Sequence, residues 1–337
     1  MAPKTFLATQ PAGLTRASLE TGRWQISRSL AGETLTCLAA DPGRPHRVFA
    51  GTRGRGVLRS LDAGQTWQAA GLSGRFVKSL AVSPPQPNRL YAGTKPPALF
   101  VSEDGGETWN ELAGFQRARA WWWRSPAEAD LGAYVQAIAL SPADANVILA
   151  GIEAGAVVRS ADGGRSWERH RPGALRDCHT LIFHSAQGDW AYEAGGTGAG
   201  AAVSRDAGRS WRQPRAGLDR HSGWAAAADP AHPEVWYVSA SPMSAGTWPP
   251  IPAAHVDGQA RAAIFRSDGG AAWQKLGGGL PEPLNHMPYA LLTDPAAPGH
   301  LYAGLSSGEV WHSADYGDSW QRLPLNLGAI HRTLLMF

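Results

Sequence analysis

Short apolar runs recur along the chain, separated by glycine, proline and polar residues, and they come in groups of four. The first group reads LTCLAADP, RVFAGT, VLRS and TWQA between residues 35 and 69. The second reads VKSLAVSP, RLYAGT, ALFVS and TWNEL between residues 77 and 112. Short runs bounded by turn residues are typical of β-strands. Four antiparallel strands with short connections form one blade of a β-propeller, so each group predicts one blade.

A tryptophan motif marks the fourth run of each group and counts the blades. The pattern Ser-x-Asp-x-Gly-x-x-Trp occurs intact at residues 60–67, 102–109, 160–167, 204–211 and 313–320. A variant with Arg266 in place of the serine ends at Trp273, and a decayed copy ends at Trp24. Successive tryptophans of these seven copies are 43, 42, 58, 44, 62 and 47 residues apart. The sequence therefore predicts seven blades.

The motif has the residues that a tight turn between two strands requires. Its aspartate and serine side chains can hydrogen-bond nearby backbone groups, and its tryptophan can pack under the hairpin. Because seven equivalent copies cannot all form one active site, we interpret these aspartates as structural rather than catalytic or calcium-binding. Glycine reaches positive φ without a steric clash, which we predict for the motif glycines. These are Gly64, Gly106, Gly164, Gly208, Gly270 and Gly317.

The motif resembles the Asp-box, or BNR repeat. On this basis the chain is similar to bacterial Asp-box β-propellers, which include sialidases, xyloglucan-cleaving enzymes, sortilin-type receptors and photosystem assembly factors. The resemblance covers essentially the whole chain and implies an all-β propeller. It does not imply one activity, because that superfamily contains both hydrolases and binding proteins.

The two ends of the chain complement each other. Residues 330–337 (IHRTLLMF) have the pattern of an innermost strand with nothing after it, whereas residues 5–28 supply three strands without an innermost one. We therefore predict that the C-terminal strand completes the N-terminal blade, which closes the ring and removes open sheet edges. The expected architecture is a single seven-bladed domain over residues 1–337.

Composition narrows the range of partners. The net charge of +3 is too close to balance to indicate nucleic acid or an anionic membrane. No signal peptide is recognisable, and no apolar run approaches the ~20 residues of a membrane span. Cys37 and Cys178 follow no metal or redox spacing. We expect a monomeric, reduced cytoplasmic protein without a cofactor.

Two intervals between tryptophans are longer than the others, and their extra residues predict the binding face. One insert covers residues 115–131 and includes Trp121, Trp122 and Trp123; the other covers residues 239–261 and includes Trp248. Loops longer than ~12–15 residues in compact domains are usually functional or disordered. Both inserts join strands on the face opposite the motif turns. We expect these tryptophans to form a partial lid over a site there.

One position of the inner strands varies where a repeat built only for packing would be uniform. Its side chains either hydrogen-bond between blades or surround a ligand, and both interpretations remain open. The position holds Thr36, Lys78, Gln136, His179, Trp224, Tyr289 and Arg332. Other candidates on the same face are Tyr134, Asp177, Arg53, Arg55, Lys95, Glu153, Glu193, Arg176, His221, His286 and His331. Cations, carboxylates and aromatic rings around one mouth suit a small molecule, a glycan or a protein ligand.

Hydrolysis is the main alternative to simple binding. A glycosidase usually needs two carboxylates about 5–10 Å apart, and the acids available at the mouth are Asp177, Glu153, Glu193 and Asp257. However, sialidases have six blades and a Phe-Arg-Ile-Pro signature, where this chain reads Phe-Arg-Ser-Asp at 265–268. Xyloglucan-cleaving relatives use two propellers. Binding is therefore the preferred function; an assembly factor that docks through exposed tryptophans is a third possibility.

A metal site is not predicted from the sequence. Asp177 and His179 share one strand face, but a lone pair of this kind is more often a hydrogen bond, and His184 is expected on the opposite face. The glycine-rich residues 193–200 lack the Lys-Ser/Thr of a phosphate-binding loop. We interpret them as a flexible connection between strands.

Overall fold

The computed structural model describes residues 4–125, 129–242, 258–330 and 333–337. Seven antiparallel sheets of three or four strands are arranged as the blades of a β-propeller. Helix α1 (Ala113–Ala118), at the start of the first insert, is the one α-helix among these residues. None of the described helical structure is long and apolar enough to cross a membrane.

Blade 1 takes strands from both ends of the chain. Its sheet contains β1 (Thr5–Gln10), β2 (Gly13–Glu20) and β3 (Arg23–Ser29), with β26 (Leu334–Met336) innermost. β26 pairs antiparallel with β1, and the backbone of Phe337 exchanges two further hydrogen bonds with Thr5. The predicted closure of the ring by the C-terminal strand is confirmed.

The other six blades follow one another along the chain, each starting from its inner strand. Blade 2 contains β4 (Leu35–Asp41), β5 (Arg44–Thr52), β6 (Val57–Ser60) and β7 (Gln68–Ala69), and blade 3 contains β8 (Phe76–Val82), β9 (Leu90–Lys95), β10 (Leu99–Ser102) and β11 (Asn110–Glu111). Blade 4 contains β12 (Val135–Leu140), β13 (Ile148–Ile152) and β14 (Val157–Ser160), and blade 5 contains β15 (Cys178–Phe183), β16 (Ala191–Gly195) and β17 (Ala201–Ser204). Blade 6 contains β18 (Ser222–Ala228), β19 (Val235–Ser241), β20 (Ala263–Asp268) and β21 (Gln274–Leu276), and blade 7 contains β22 (Pro288–Asp294), β23 (Ala297–Leu305), β24 (Glu309–Ser313) and β25 (Gln321–Asn326).

The inner strands contact each other around a complete circle. β4 packs beside β8, β8 beside β12, β12 beside β15, β15 beside β18, β18 beside β22, and β22 beside β26. β26 in turn contacts β4, so the C-terminal strand touches the blades on both sides of its own. The circle surrounds a central channel.

Blades 4 and 5 depart from the predicted four strands. Beyond β14 and β17 the pairing is reduced to single bridges, Arg159 with Glu168 and Val203 with Arg212. A proline follows each bridge after a few residues, at 172 and 214. Proline cannot donate a backbone hydrogen bond to a ladder, so the outer strand ends there.

The tryptophan motif closes the turn between the third strand and the outer strand of a blade. In the copy at 160–167, the backbone N–H of Gly164 donates to Ser160 Oγ over 2.8 Å, and the N–H of Ser166 donates to Asp162 Oδ1 over 2.9 Å. The Trp167 indole donates to the carbonyl of Gly164 over 3.0 Å. The hydrogen bond from the Ser166 hydroxyl is the largest cause that lowers the pKa of Asp162 to about 2. The motif aspartate is thus held ionised as an acceptor for the turn.

Five of the six predicted motif glycines have positive φ, and Gly270 does not. The intact copies place two consecutive residues in the left-handed region, for example Gly163 at 73° and Gly164 at 92°. In the variant turn the positive φ belongs to Gly269, at 81°. In that copy Arg266 replaces the serine whose hydroxyl accepts from the motif glycine in the intact copies. The Gly270 N–H donates to Asp268 Oδ1 instead, over 2.9 Å.

Asp162→Ala is expected to lower the free energy of unfolding by about 0.5–2 kcal/mol, the scale of losing a side-chain cap over backbone N–H groups. Urea denaturation measures this. Asp189→Ala, which removes an exposed carboxylate outside the motif, is the matched control and should leave stability unchanged. Equal stability of the two variants would contradict the structural role of the motif aspartate.

Candidate functional site

The inner strands share one irregularity, and it lies at the variable position. The register between the inner and second strands shifts in β4, β8, β12, β15, β18 and β22; in β8, for example, pairing skips from Val77 to Ser79. The skipped residues are Thr36, Lys78, Gln136, His179, Trp224 with Ala225, and Tyr289. A β-bulge leaves a residue outside the ladder and re-aims its side chain. The position identified by aligning the repeats is therefore the position at which six inner strands each form a β-bulge.

These six bulge residues line a single cavity of about 290 Å³ in the central channel. The residues two positions further along each strand also line it and are apolar. They are Leu38, Leu80, Ile138, Leu181, Ala226 and Leu291. The cavity therefore has a polar and aromatic rim next to an apolar wall. Arg332, the seventh residue of the predicted set, lies outside the described residues.

Thr36 and His179 also make the hydrogen bonds between blades that were the alternative interpretation. The Thr36 hydroxyl donates to the carbonyl of Val77 in the next blade. His179 Nδ1 lies 2.7 Å from the carbonyl oxygen of Gly223. The residues after the bulges serve this purpose too, since Ser79 Oγ donates to Val135 O and Thr180 Oγ1 to Trp224 O, over 2.8 and 2.7 Å. Inter-blade bonding and lining of the cavity therefore coexist.

One side of the rim is aromatic. The His179 and Trp224 rings lie 4.4 Å apart between centroids, and Trp224 meets Tyr289 edge-on at 5.1 Å. Such offset and edge-to-face pairs stabilise each other and fix the orientation of the rings. Three neighbouring blades thus present a continuous aromatic surface to the cavity.

A lysine is held against two rings on another part of the rim. Lys78 Nζ lies 3.7 Å from the ring centroid of Tyr134 and 4.8 Å from that of Phe76. Tyr134 is almost fully buried, so it supports the lysine rather than facing the cavity itself. Cation–π contacts of this kind keep an ammonium group oriented in a partly desolvated place. Phe76 was missed by the sequence analysis because its role is visible only from the side chains that it touches.

Two of the predicted acids meet beside His179. Glu153 Oε2 and Asp177 Oδ2 each lie 3.7 Å from His179 Nε2, and one ligand atom from each of the three residues falls within 4.8 Å of the others. Glu153 follows β13 in blade 4, whereas the other two belong to blade 5. Neither carboxylate lines the 290 Å³ cavity; His179 connects them to it.

The third predicted acid, Glu193, does not reach the channel. Its side chain is fully buried within blade 5, and Oε2 accepts a hydrogen bond from the backbone N–H of Leu175 over 2.9 Å. Burial is the largest cause that raises the pKa of Glu193 to about 8. A substrate in the channel cannot contact this carboxyl, so its assignment as a catalytic acid is corrected.

The loop candidates lie around two further cavities. Arg53 and Lys95 line one of about 420 Å³, where Lys95 Nζ pairs with Asp130 Oδ1 at 2.8 Å. Trp122 lines another of about 380 Å³, with the Arg176 guanidinium 5.4 Å from its ring. His221 is exposed, and its Nδ1 lies 3.4 Å from the carbonyl oxygen of Ala199.

The expected lid is not formed over the central cavity by the first insert. Trp121 is 89% exposed, Trp123 is buried, and none of the three tryptophans lines the 290 Å³ cavity. The physical reason is that Trp123 packs against Phe115 of α1, with ring centroids 6.2 Å apart, which draws the insert toward blade 4. Trp248 lies outside the described residues.

The glycine-rich segment packs directly against Asp177 and is more than the flexible connection that the sequence suggested. A Cβ on Gly196 would lie 2.1 Å from Asp177 Oδ2 and 3.2 Å from His179 Cε1. The Gly196 N–H also donates to the carbonyl of Asp177 over 2.9 Å. Glycine is required here because the backbone passes directly against the acidic cluster.

Comparison with known proteins supports the fold. No protein-family model matches the chain, and no curated protein matches it in sequence. An ancestral GH74 enzyme is similar at 18% identity with a TM-score of 0.62, over 85% of this chain and 38% of that chain. YCF48 bound to D1 peptide gives 17% identity and a TM-score of 0.55, over 86% and 82% of the two chains. YCF48 from Cyanidioschyzon merolae gives 14% and 0.58, over 88% and 87%. The chain thus spans well under half of the GH74 enzyme's length, and at these identities the structural similarity shows a shared propeller fold alone.

Proposed function

We propose that this protein is an Asp-box propeller that binds, without cleaving it, a sugar ring at the mouth of its channel. The observation that carries the proposal is the aromatic surface of Trp224 and Tyr289 beside the polar rim of one small cavity. Apolar ring faces stack on the C–H faces of sugars, while the Gln136 amide and the Lys78 ammonium can bond hydroxyl oxygens. A cytoplasmic, monomeric state remains part of the proposal.

The size of the cavity favours one ring rather than a long chain. Its volume of about 290 Å³ lies at the lower end of ligand pockets, which span about 300–1,000 Å³. The rim is also pre-organised, since the His179, Trp224 and Tyr289 rings hold one another in place. Little side-chain entropy would be lost when a ligand stacks on them.

Catalysis is supported less well. Asp257 lies outside the described residues and Glu193 is buried, so the nominated acids that the structure leaves for a glycosidase are Glu153 and Asp177, whose ligand oxygens lie within 4.8 Å of each other. That spacing is close to the ~5–5.5 Å of retaining enzymes. Both acids, however, face His179 rather than the cavity. If the protein is nevertheless a hydrolase, Glu153→Gln and Asp177→Asn should abolish release of reducing ends while sparing binding.

Protein docking is the second candidate, and a separate surface favours it. Trp121 is 89% and Trp122 is 42% exposed on the first insert, away from the central cavity. Exposed tryptophans are characteristic anchors of protein interfaces. A structural neighbour, YCF48, is described as bound to a peptide. The two proposals therefore use different residues and can be separated by mutation.

Trp224→Ala is expected to weaken sugar binding about 30-fold, the scale of losing a ~2 kcal/mol binding anchor. Mono- and disaccharides are screened by ligand-observed NMR, and affinities of the hits are measured by calorimetry. Tyr289→Ala removes the second ring of the aromatic surface. Because Tyr289 is less buried than Trp224, this variant provides a test if Trp224→Ala folds poorly.

Trp121→Ala is the matched control, because it removes an exposed indole outside the cavity. Unchanged sugar affinity in this variant supports the channel site. Sugar affinity that is unchanged in both Trp224→Ala and Tyr289→Ala would overturn the sugar proposal, as would the absence of any saccharide hit.

A further inference from the structure

The tautomer of His179 is fixed by its neighbour in blade 6. Nδ1 lies 2.7 Å from the Gly223 carbonyl oxygen, which can only accept a hydrogen bond. Nδ1 therefore carries a proton, and in the neutral imidazole the lone pair is on Nε2. This arrangement, a backbone carbonyl that orients the ring and leaves the other nitrogen available, is the one that metal-bound histidines show in nearly every case.

The available nitrogen points toward two carboxylates. The oxygens of Glu153 and Asp177 lie 3.7 Å from Nε2, which is beyond hydrogen-bond length. The side chains of His179 and Glu153 are 6% and 8% exposed. The imidazole nitrogen and the two carboxylate oxygens therefore face one another and form a set of donor atoms suited to a cation.

The spacing suits a metal ion. Ligands about 2.0–2.2 Å from a divalent ion are roughly 3.0–3.6 Å from one another, so the 3.7 Å separations need to contract by only a few tenths of an ångström. The most distant pair of ligand atoms is within 4.8 Å, which rotation of one carboxylate can close. The imidazole nitrogen suits Zn²⁺ and the two carboxylate oxygens suit Mn²⁺, so both ions are candidates for this mixed donor set.

The backbone holds this arrangement from two sides. The Ala154 N–H donates to Asp177 Oδ1 over 3.0 Å, and Ala154 adopts a left-handed φ of 46° to do so. Gly196 packs against Asp177 Oδ2 so closely that no side chain fits there. A strained residue and a required glycine at one carboxylate are typical of a functional site rather than of ordinary packing.

We propose that Glu153, Asp177 and His179 bind a divalent transition-metal cation at the mouth of the channel. The proposal goes beyond sugar binding and differs from the sequence-based expectation of no metal site, because Glu153 comes from a neighbouring blade that no spacing in the sequence connects to Asp177 and His179. Since His179 also lines the cavity, the cation would lie beside any ligand bound there.

The first test measures metal binding without sugar, so that it is independent of the proposed function. The protein is stripped with a chelator, the chelator is removed, and ZnCl₂ and MnCl₂ are titrated separately by calorimetry. One ion per chain is expected to bind to the wild type. His179→Gln and Asp177→Asn, which preserve size, should each weaken binding at least 30-fold. Unchanged affinity in both variants would overturn the proposal.

A second histidine pair provides the matched control. His300 Nδ1 and His312 Nε2 lie 3.1 Å apart in blade 7 and could themselves take up Zn²⁺. His312→Gln removes that pair and should leave the measured affinity unchanged. If affinity is lost with His312 instead, the ion binds in blade 7 and the proposal is wrong.

A measurement on the wild type avoids any dependence on the folding of variants. Paramagnetic Mn²⁺ bound by the cluster should broaden the amide NMR signals of Ala154, Gly196 and Gly223 selectively. The signal of His300 should persist at one equivalent. Uniform broadening, or none, would show that the cluster does not hold the ion and would overturn the proposal.

Discussion

Removing residues 333–337 is expected to lower the free energy of unfolding by about 5 kcal/mol or more, a large share of what holds a domain folded. The deletion exposes the edge of β1, which loses its pairing with β26 and its hydrogen bonds to Thr333 and Phe337. It also removes Leu334, which is buried in the core between blades. Because β26 touches the blades on both sides, opening the ring weakens two interfaces at once. Thermal denaturation should show a midpoint lower by about 7 °C or more.

A peptide of residues 329–337 added in trans should restore much of the lost stability, because the backbone of β1 can pair with it again. The same peptide carrying Leu334→Asp is the matched control and should not restore it, since it would bury an unpaired carboxylate. An unchanged melting temperature after truncation would mean that the blades hold the ring closed without the strand.

The repeat made the fold predictable. Each group of four apolar runs has the length and the turn residues of a blade, and the seven tryptophans count the blades independently of any one strand boundary. The unpaired pattern of residues 330–337 was enough to predict closure, because an inner strand without followers needs partners elsewhere. The repeat also predicted a fourth strand in blades 4 and 5, but prolines there reduce the outer strand to a single bridge.

The candidate site was only partly predictable. Aligning the repeats found Lys78, Gln136, His179, Trp224 and Tyr289 as one variable position, and the structure places these side chains on one cavity. The bulges that turn them into the channel have no glycine or other signature in the sequence. Acids from second strands and loops were harder to place, because a bulge changes which face the next residue occupies. Glu193 was therefore expected at the mouth and lies inside blade 5.

That buried carboxyl leads to the second large expected effect. The pKa of Glu193 is raised from 4.5 to about 8 in the folded protein, with burial as the largest cause. The unfolded chain loses this proton near pH 4.5, whereas the folded protein keeps it until about pH 8. Between these values the folded state binds more protons than the unfolded state, so stability falls as pH rises, by up to about 1.4 kcal/mol for each pH unit.

Glu193→Gln is expected to remove this loss, because an amide cannot ionise and its oxygen can still accept the Leu175 N–H. The variant should match the wild type near pH 5 and exceed its free energy of unfolding by roughly 2–4 kcal/mol at pH 8. Urea denaturation at pH 5, 6, 7 and 8 measures the difference. Glu103→Gln, at a carboxylate that is 72% exposed, is the control and should follow the wild type at every pH. If Glu193→Gln also runs parallel to the wild type, Glu193 is ionised in the folded protein, and a compensating cation or water must then reach it inside blade 5.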